Sequence, residues 1–485
     1  MRQHEFPGMN AEGPGVRQTV KAATGYGLMI AAAVAAFLCI RSWGERLAVH
    51  APFAPVVGKR VEADRGADVL LHLLLALVVI IVAARAVGFV FQYLRQPPVI
   101  GEVVAGILLG PSFLGHIAPG VSGYLLPPAM GPFLNMIAQV GVLLYMFLVG
   151  LELDTSALRR SPHIVLAISH ASILLPFLLG AVVALGIYPL LSSGEVPFTV
   201  FALFMGVSMS VTAFPVLARI LTDRRLHTSR LGVMALSCAA IDDVTAWCLL
   251  EFVVSVAHAR SESVLPTVGF TALYIACTFV VFRPLMGAFA RRYEGSDRLP
   301  QSAMSVVFVA LLLSALITEF IGIHAIFGAF LLGAVVPHDS RIARDLSGRL
   351  EDLVVVLLLP AFFAFTGLRT EISLVHGAQQ WLLCAGLILV ASAGKFGGSA
   401  VAARLAGLSW LDASALGVLM NTRGLVELIV LNIGLDLRVI SPTVYAMLVI
   451  MALVTTVATT PILALIARVI ARTVAAVEAA SCGRG

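Results

Sequence analysis

Residues 201–250 read FALFMGVSMSVTAFPVLARILTDRRLHTSRLGVMALSCAAIDDVTAWCLL, and this stretch decides how the rest of the chain folds. Two apolar segments flank a short basic turn, Asp223 to Arg230. Ser208, Ser210, Thr212 and Pro215 interrupt the first segment, and the second carries adjacent carboxylates, Asp242 and Asp243. An ionisable residue at membrane depth is expensive and marks a functional site by default. Two side by side, next to a helix break, mark one strongly.

The surroundings support a membrane interior. Of 485 residues, 59% are hydrophobic and only 12% charged, with a mean hydropathy of +0.98. A soluble chain would carry roughly 25% charged residues. Apolar runs of about 20 residues recur from end to end, which specifies an all-α polytopic membrane protein. The period-two alternation of an outer-membrane barrel is absent from the sequence. The formal charge of +5 sits in short loops between apolar runs, a topology signal rather than a nucleic-acid footprint. Six scattered cysteines form no CxxC pair, so neither a disulfide framework nor a zinc site is expected.

Outward from the opening stretch, spans are expected near 69–92, 98–115, 131–150, 164–189, 197–221, 231–257, 266–287, 301–320, 322–336, 350–367, 380–404, 411–435 and 443–470. That makes thirteen, or fourteen with an apolar run at Tyr26 to Ile40 that reads as a retained helix. Residues 1–67 are thus a polar tail, extra helix and linker, and 68–472 a membrane domain. Within it, 68–257 is a first repeat, 258–300 a linking helix and loop, and 301–472 a second repeat, before a short tail at 473–485. Arg159 and Arg160, then Arg224, Arg225 and Arg230, then Arg291, Arg292 and Arg298, then Arg341, Arg344 and Arg349 fall in alternate loops. The positive-inside rule puts these loops and the C-terminus in the cytoplasm. The basic loop at 41–67 would lie outside and opposes that rule.

The chain also repeats itself. Ala105-Gly-Ile-Leu-Leu-Gly110 resembles Gly328-Ala-Phe-Leu-Leu-Gly333, and Val149-Gly-Leu-Glu-Leu-Asp154 resembles Thr366-Gly-Leu-Arg-Thr-Glu371. The break at Ser208–Pro215 has a counterpart at Asn421-Thr-Arg-Gly424. Each pair lies seven spans apart in the same order, and an odd offset turns the second copy upside down in the membrane.

Unwound backbone at membrane depth is tolerated where it lines a cavity or packs in protein. The breaks at Ser208–Pro215 and Met420–Gly424 are therefore expected to cross near the midplane, their half-helix ends facing an ion. A kinked continuous helix is the plainer alternative for either break alone. Asp242 and Asp243 stand about 100° apart on one helix, so they take separate roles. A buried carboxylate can hold a proton or a bare monovalent cation, one at a time, and that competition is enough for exchange. Lys395, framed by small residues in Ala391-Ser-Ala-Gly-Lys-Phe-Gly-Gly-Ser399, is expected to partner Asp242 rather than snorkel. Arg423 and Glu427, four apart, form a structural pair. Glu102, near a span end, stays ambiguous, and His116, His170 and His324 read as loop or core residues. No Walker A loop, GxGxxG or HExxH motif is present, so no cofactor and no enzyme chemistry are expected.

Several stretches resemble monovalent cation/proton antiporters of the second subgroup, closest in motif to the plant cation/proton exchangers and their bacterial relatives. They are Phe214-Pro-Val-Leu-Ala-Arg-Ile-Leu-Thr-Asp223, Ala239-Ala-Ile-Asp-Asp-Val-Thr-Ala-Trp247 and Asn421-Thr-Arg-Gly-Leu-Val-Glu-Leu-Ile-Val-Leu-Asn-Ile-Gly434, with Gln96-Pro-Pro-Val-Ile-Gly-Glu and Gly106-Ile-Leu-Leu-Gly-Pro-Ser112 before them. The likeness covers roughly 68–470. It implies inverted repeats with two crossed discontinuous helices, a core sliding against a dimer domain, and a homodimer. It implies Asp243 as the carboxylate that binds cation and proton; Asp242 is expected beside it in the binding site, with Lys395, Thr212, Ser208 and Ser210 as support and charge partner. Pro215, Asn421, Arg423, Gly424 and Glu427 would shape the discontinuous helices. Position 242 is often Asn in close relatives; Asp there, with Lys395, resembles the electrogenic members.

The expected function is exchange of Na⁺ or K⁺, or Li⁺, for protons by alternating access in the inner or plasma membrane. An electroneutral K⁺/H⁺ exchanger is the alternative, and an organic-anion symporter of similar fold fits the tandem Asp and Lys395 less well. An intramembrane aspartyl protease needs its two aspartates on different helices. A channel would not couple cation flux to protons.

Overall fold

Lipid offers backbone amides and carbonyls no partner, so each apolar run closes its hydrogen bonds within a helix. The computed structural model describes residues 16–47, 66–94, 96–152, 162–192, 196–224, 226, 229–258, 264–295, 299–321 and 324–482, and no strand occurs among them. The first half holds α1 Val16–Gly44, α2 Gly66–Tyr93, α3 Pro98–Leu109, α4 Leu114–Ile117, α5 Pro119–Leu125, α6 Gly131–Glu152, α7 Pro162–Leu191, α8 Phe198–Ser210, α9 Phe214–Asp223 and α10 Arg230–His258. Next come α11 Val264–Cys277, α12 Arg283–Tyr293, α13 Gln301–Ile321, α14 Ala325–Val335, α15 Arg341–Leu353 and α16 Leu359–Leu368. The last are α17 Gly377–Leu405, α18 Trp410–Met420, α19 Leu425–Asp436 and α20 Pro442–Cys482. π-helical turns at Thr278–Phe282 and Val354–Leu358 join α11 to α12 and α15 to α16.

Among the described residues, 11 helical stretches are long and apolar enough to cross a membrane, and α18 with α19, bent by 43°, makes a twelfth. The count differs from the expected thirteen or fourteen at two places. The run at 197–221 divides into α8 and α9, neither long enough alone. The run at 322–336 contributes only the 11 residues of α14. At 1.5 Å per residue that helix reaches about 16 Å, roughly half the hydrocarbon thickness.

The expected N-terminal helix lies within α1, which packs on α7 and α8. Glu45, just past its end, accepts from Arg41 at 2.7 Å and from the Thr199 hydroxyl of α8 at 3.0 Å. Those bonds, Arg41's first, hold the Glu45 carboxyl below its ordinary range. Residues 48–65, which carry Lys59, Arg60 and Arg65, and residues 1–15 lie outside the described set.

Helix packing divides the molecule into two bodies. α7, α8, α9, α10, α17, α18, α19 and α20 pack among themselves, with α1 on their flank. α2, α3, α6, α13, α14, α15 and α16 form the other body. α11 lies between them, touching α10 and α13. The ends of the bundle are labelled outer and inner after the orientation expected from the loop charges.

The segments paired in sequence also exchange contacts. α3 packs on α16, and α6 on α14. Gly150 of α6 and Gly333 of α14 sit backbone to backbone: a Cβ on Gly150 would strike the Phe330 carbonyl, and one on Gly333 the Phe147 carbonyl. Between α3 and α16 the close approach falls at Gly106 and Gly367: a Cβ on Gly367 would strike the Gly106 backbone, and one on Gly106 the Ala364 backbone.

At the outer end, hydrogen bonds cross between the bodies. Arg369, just past α16, donates to Asn432 of α19 at 3.3 Å and to Asp436 at 2.6 Å. Asn432 donates to the Thr366 hydroxyl at 2.8 Å, and the Tyr445 hydroxyl of α20 to the Thr366 carbonyl at 3.2 Å. Glu251 of α10 accepts from the His324 amide at 3.0 Å, at the start of α14.

Candidate cation site

The site is built where two helices fail. α8 ends at Ser210 and α9 restarts at Phe214; α18 ends at Met420 and α19 restarts at Leu425. The two gaps lie against each other: the Ala213 amide donates to the Thr422 carbonyl at 3.0 Å, and the Thr212 hydroxyl reaches the Met420 carbonyl at 3.3 Å. Pro215 stands in the first turn of α9, where its missing N–H costs nothing. Gly424 lies in extended backbone before α19, and a Cβ there would press on Val216.

A helix C-terminus leaves its last carbonyls without partners and carries partial negative charge. At α8 two buried cations answer that need. Arg423 donates to the Ser208 carbonyl at 3.0 Å and the Met209 carbonyl at 2.7 Å, and Lys395 donates to the Ser210 carbonyl at 2.5 Å. A planar guanidinium suits two adjacent carbonyls, which a single ammonium cannot hold together. Arg423 also pairs with Glu427 at 3.0 Å, both fully buried. Its backbone is held by Thr456 of α20, whose hydroxyl accepts from the Arg423 amide at 3.0 Å and donates to its carbonyl at 2.8 Å.

The adjacent aspartates differ sharply in surroundings. Asp242 is saturated: Ser169 donates to one oxygen at 2.5 Å, while Ser172 at 2.7 Å, Thr212 at 2.6 Å and Lys395 at 3.0 Å crowd the other. Lys395 has three N–H donors. They face Asp242, the Ser210 carbonyl and the Ser172 hydroxyl, the last at 3.5 Å. Asp243 is only 2% exposed, yet neither of its carboxylate oxygens has a hydrogen-bond partner. The Phe214 amide at the N-terminus of α9 faces it without reaching hydrogen-bond geometry. Buried oxygens are also unpartnered on Ser208, Asn421 and Thr422, all in the two breaks. A buried polar atom without a partner is rare enough to demand an explanation. Here the two acidic oxygens of Asp243 and three neutral ones in the two breaks are left without partners within the protein.

Comparison with known proteins places the chain. The model for "Sodium/hydrogen exchanger, transmembrane" matches residues 66–468. The chain belongs to the sodium/hydrogen exchanger family. The Na⁺/H⁺ antiporter NhaS4 of Synechocystis is 42% identical over 394 residues, covering 80% of this chain and 96% of that protein. Cation/H⁺ antiporter 19 of Arabidopsis thaliana is 40% identical over 79% of this chain and 48% of its own length. K⁺/H⁺ antiporter 1 of Saccharomyces cerevisiae is 35% identical over 78% of this chain and 44% of its length. The chain thus spans about half of the plant and yeast relatives. The solved sodium proton antiporter MjNhaP1 of Methanocaldococcus jannaschii superposes with a TM-score of 0.62 over 81% of this chain at 16% identity, which shows the shared fold.

Within this exchanger, the structure brings together Asp242, Lys395, Thr212 and Ser210 as a bonded group, and Arg423 with Glu427 as a pair. Ser208 and Ser210 contribute through their backbone. Their carbonyls, not their hydroxyls, hold the cations; the Ser210 hydroxyl turns back to Gly206 and across to Ile173. Ser169 and Ser172, which complete the cradle of Asp242, escaped sequence reasoning. Their spacing of three in an otherwise apolar run, one turn apart on one helix face, was the available signal. Thr456 escaped too, as one of several threonines in α20. Glu102 is buried in α3, and His324 caps the start of α14.

Proposed function

We propose that this protein exchanges a monovalent cation for protons by alternating access of a single site centred on Asp243. One observation carries it: a buried carboxylate with both oxygens unpartnered, beside an identical carboxylate with every oxygen satisfied. A charge in that position is balanced by a proton or by a small cation, and by one at a time. The family is a transporter family. The relatives' names point to sodium in the cyanobacterial protein and potassium in the yeast one, so Na⁺ and K⁺ are the candidate substrates.

The Asp242–Lys395 pair supports electrogenic exchange. A pair that opens when the cation arrives leaves a buried ammonium without its counter-charge. Lys395 then releases a proton in addition to the one exchanged at Asp243, and net charge crosses per cycle. The protein sits in the inner or plasma membrane with its Arg-bearing loops and C-terminus in the cytoplasm, as a homodimer. Proteoliposomes loaded with Na⁺, K⁺ or Li⁺, with the membrane potential clamped to either sign, test the whole proposal. Cation-dependent proton flux with a voltage-dependent rate is expected. Flux that ignores voltage leaves a one-for-one exchanger, and equal flux from a folded Asp243→Asn variant removes the site.

A further inference from the structure

At the inner end lies a second candidate site, whose lining includes none of the residues around Asp243. α14 is only 11 residues long, and the turn that follows it leads to α15, whose Arg341 amide donates to Glu294, just past α12, at 3.4 Å. Opposite that turn runs α12, the inner part of the apolar span Gly269–Tyr293. Between them lies an open cleft of about 510 Å³. Arg283 and Arg291 of α12 form one wall, and Pro337, His338 and Asp339 of the turn form the floor.

Arg283 is the odd residue. It begins the 11-residue α12, about 15 Å along the axis from Tyr293, the last residue of the apolar stretch Gly269–Tyr293. An arginine at such depth is costly and calls for a counter-charge. Arg291 follows two turns later on the same face, with Gly287 between them keeping the wall open. Neither guanidinium has an ion-pair or hydrogen-bond partner among the described residues. The one carboxylate in the cleft, Asp339, leaves the lining positive by at least one charge. Next to Arg283 the helix is bare and apolar: Val280 is 74% exposed and Leu285 54%.

We propose that this cleft binds the phosphodiester headgroup of an anionic phospholipid. Arg283 and Arg291 hold the phosphate oxygens, and the acyl chains lie along Val280 and Leu285. Guanidinium forks recognise phosphate through paired, charge-assisted hydrogen bonds. The apolar rail beside the arginines selects a lipid over a free phosphate, which would leave that rail unused. The arginine at membrane depth is thereby neutralised by the membrane itself.

The test uses the full chain purified in phosphatidylcholine micelles and titrated with phosphatidylglycerol, with bound lipids counted by native mass spectrometry. The wild type is expected to retain one phosphatidylglycerol per chain. Arg283→Gln and Arg291→Gln should each weaken retention on the order of tenfold, the loss of one charge-assisted contact, without moving the thermal midpoint in phosphatidylcholine alone. Arg283→Lys should recover part of it. Inorganic phosphate and glycerol phosphate form the second arm and should neither stabilise the protein nor displace the lipid. Equal retention by the two glutamine variants overturns the proposal, and so does full protection by inorganic phosphate at matched concentration. Since lipid retention is read without transport, a failure here is separate from a failure of the exchange mechanism.

Discussion

Removing Lys395 tests the central pairing most directly. Lys395 and Asp242 are each 0% exposed and 3.0 Å apart. Truncating Lys395 to Ala strands the Asp242 charge and frees the Ser210 carbonyl at the end of α8. Breaking one partner of a buried pair costs about 3–5 kcal/mol. The lower end applies here, about 3 kcal/mol, because Ser169, Ser172 and Thr212 continue to donate to Asp242. Asp242→Asn alone should cost a similar amount, by stranding the ammonium. The double variant strands neither charge, so its cost should match one single change rather than the sum, a coupling of about 3 kcal/mol. Thermal midpoints of the four proteins in one detergent, at one pH and without added cation, give the cycle. If the two losses simply add, Lys395 and Asp242 do not stabilise each other and the cradle has another purpose.

Three further outcomes follow from the same geometry. Asp243→Asn removes an unpartnered charge rather than a bonded one, so it should abolish cation-coupled proton flux in proteoliposomes while the thermal midpoint holds or rises. Apparent cation affinity should fall as pH falls, because a protonated Asp243 offers the cation no charge; the half-saturating concentration should climb towards about tenfold per pH unit on the acid side, and a flat profile contradicts shared occupancy. Gly150→Ala drives a methyl into the Phe330 carbonyl and should sharply cut the yield of folded protein in size-exclusion profiles, whereas Gly120→Ala, with nothing within 4 Å, should leave it unchanged.

Much of this architecture is legible in the chain because lipid forces backbone groups to pair locally. Apolar runs therefore report helices, and Ser208–Pro215 and Asn421–Gly424 report the places where helices fail. Asp242, Asp243 and Lys395 are legible for the same reason: charge at membrane depth requires compensation. Span counting was less secure at 322–336, since hydropathy reports apolarity and not whether 11 helical residues reach across. What the sequence conceals is which partner satisfies which atom. Ser169 and Ser172 look like ordinary small residues until α7 packs beside α10. The contrast in bonding between the two aspartates arises from a rotation of about 100° on one helix, which aims one at four donors and the other at none.

Among the described residues, the hydrogen bonds that Arg369, Asn432 and Tyr445 donate and the one that Glu251 accepts from His324 join the two bodies at the outer end, on the side away from the α14–α15 turn. In a carrier that rocks one body against the other, such a clasp sets where the empty carrier waits. Each ~1.4 kcal/mol of preference for the clasped form multiplies the waiting population tenfold. It also lowers the apparent affinity for a cation arriving from outside by the same factor, since that cation must find the rarer form. The direction of net flux still follows the gradients. In the orientation proposed above, the clasp would instead make the transporter sensitive to low cation on the inside and indifferent to all but high cation on the outside.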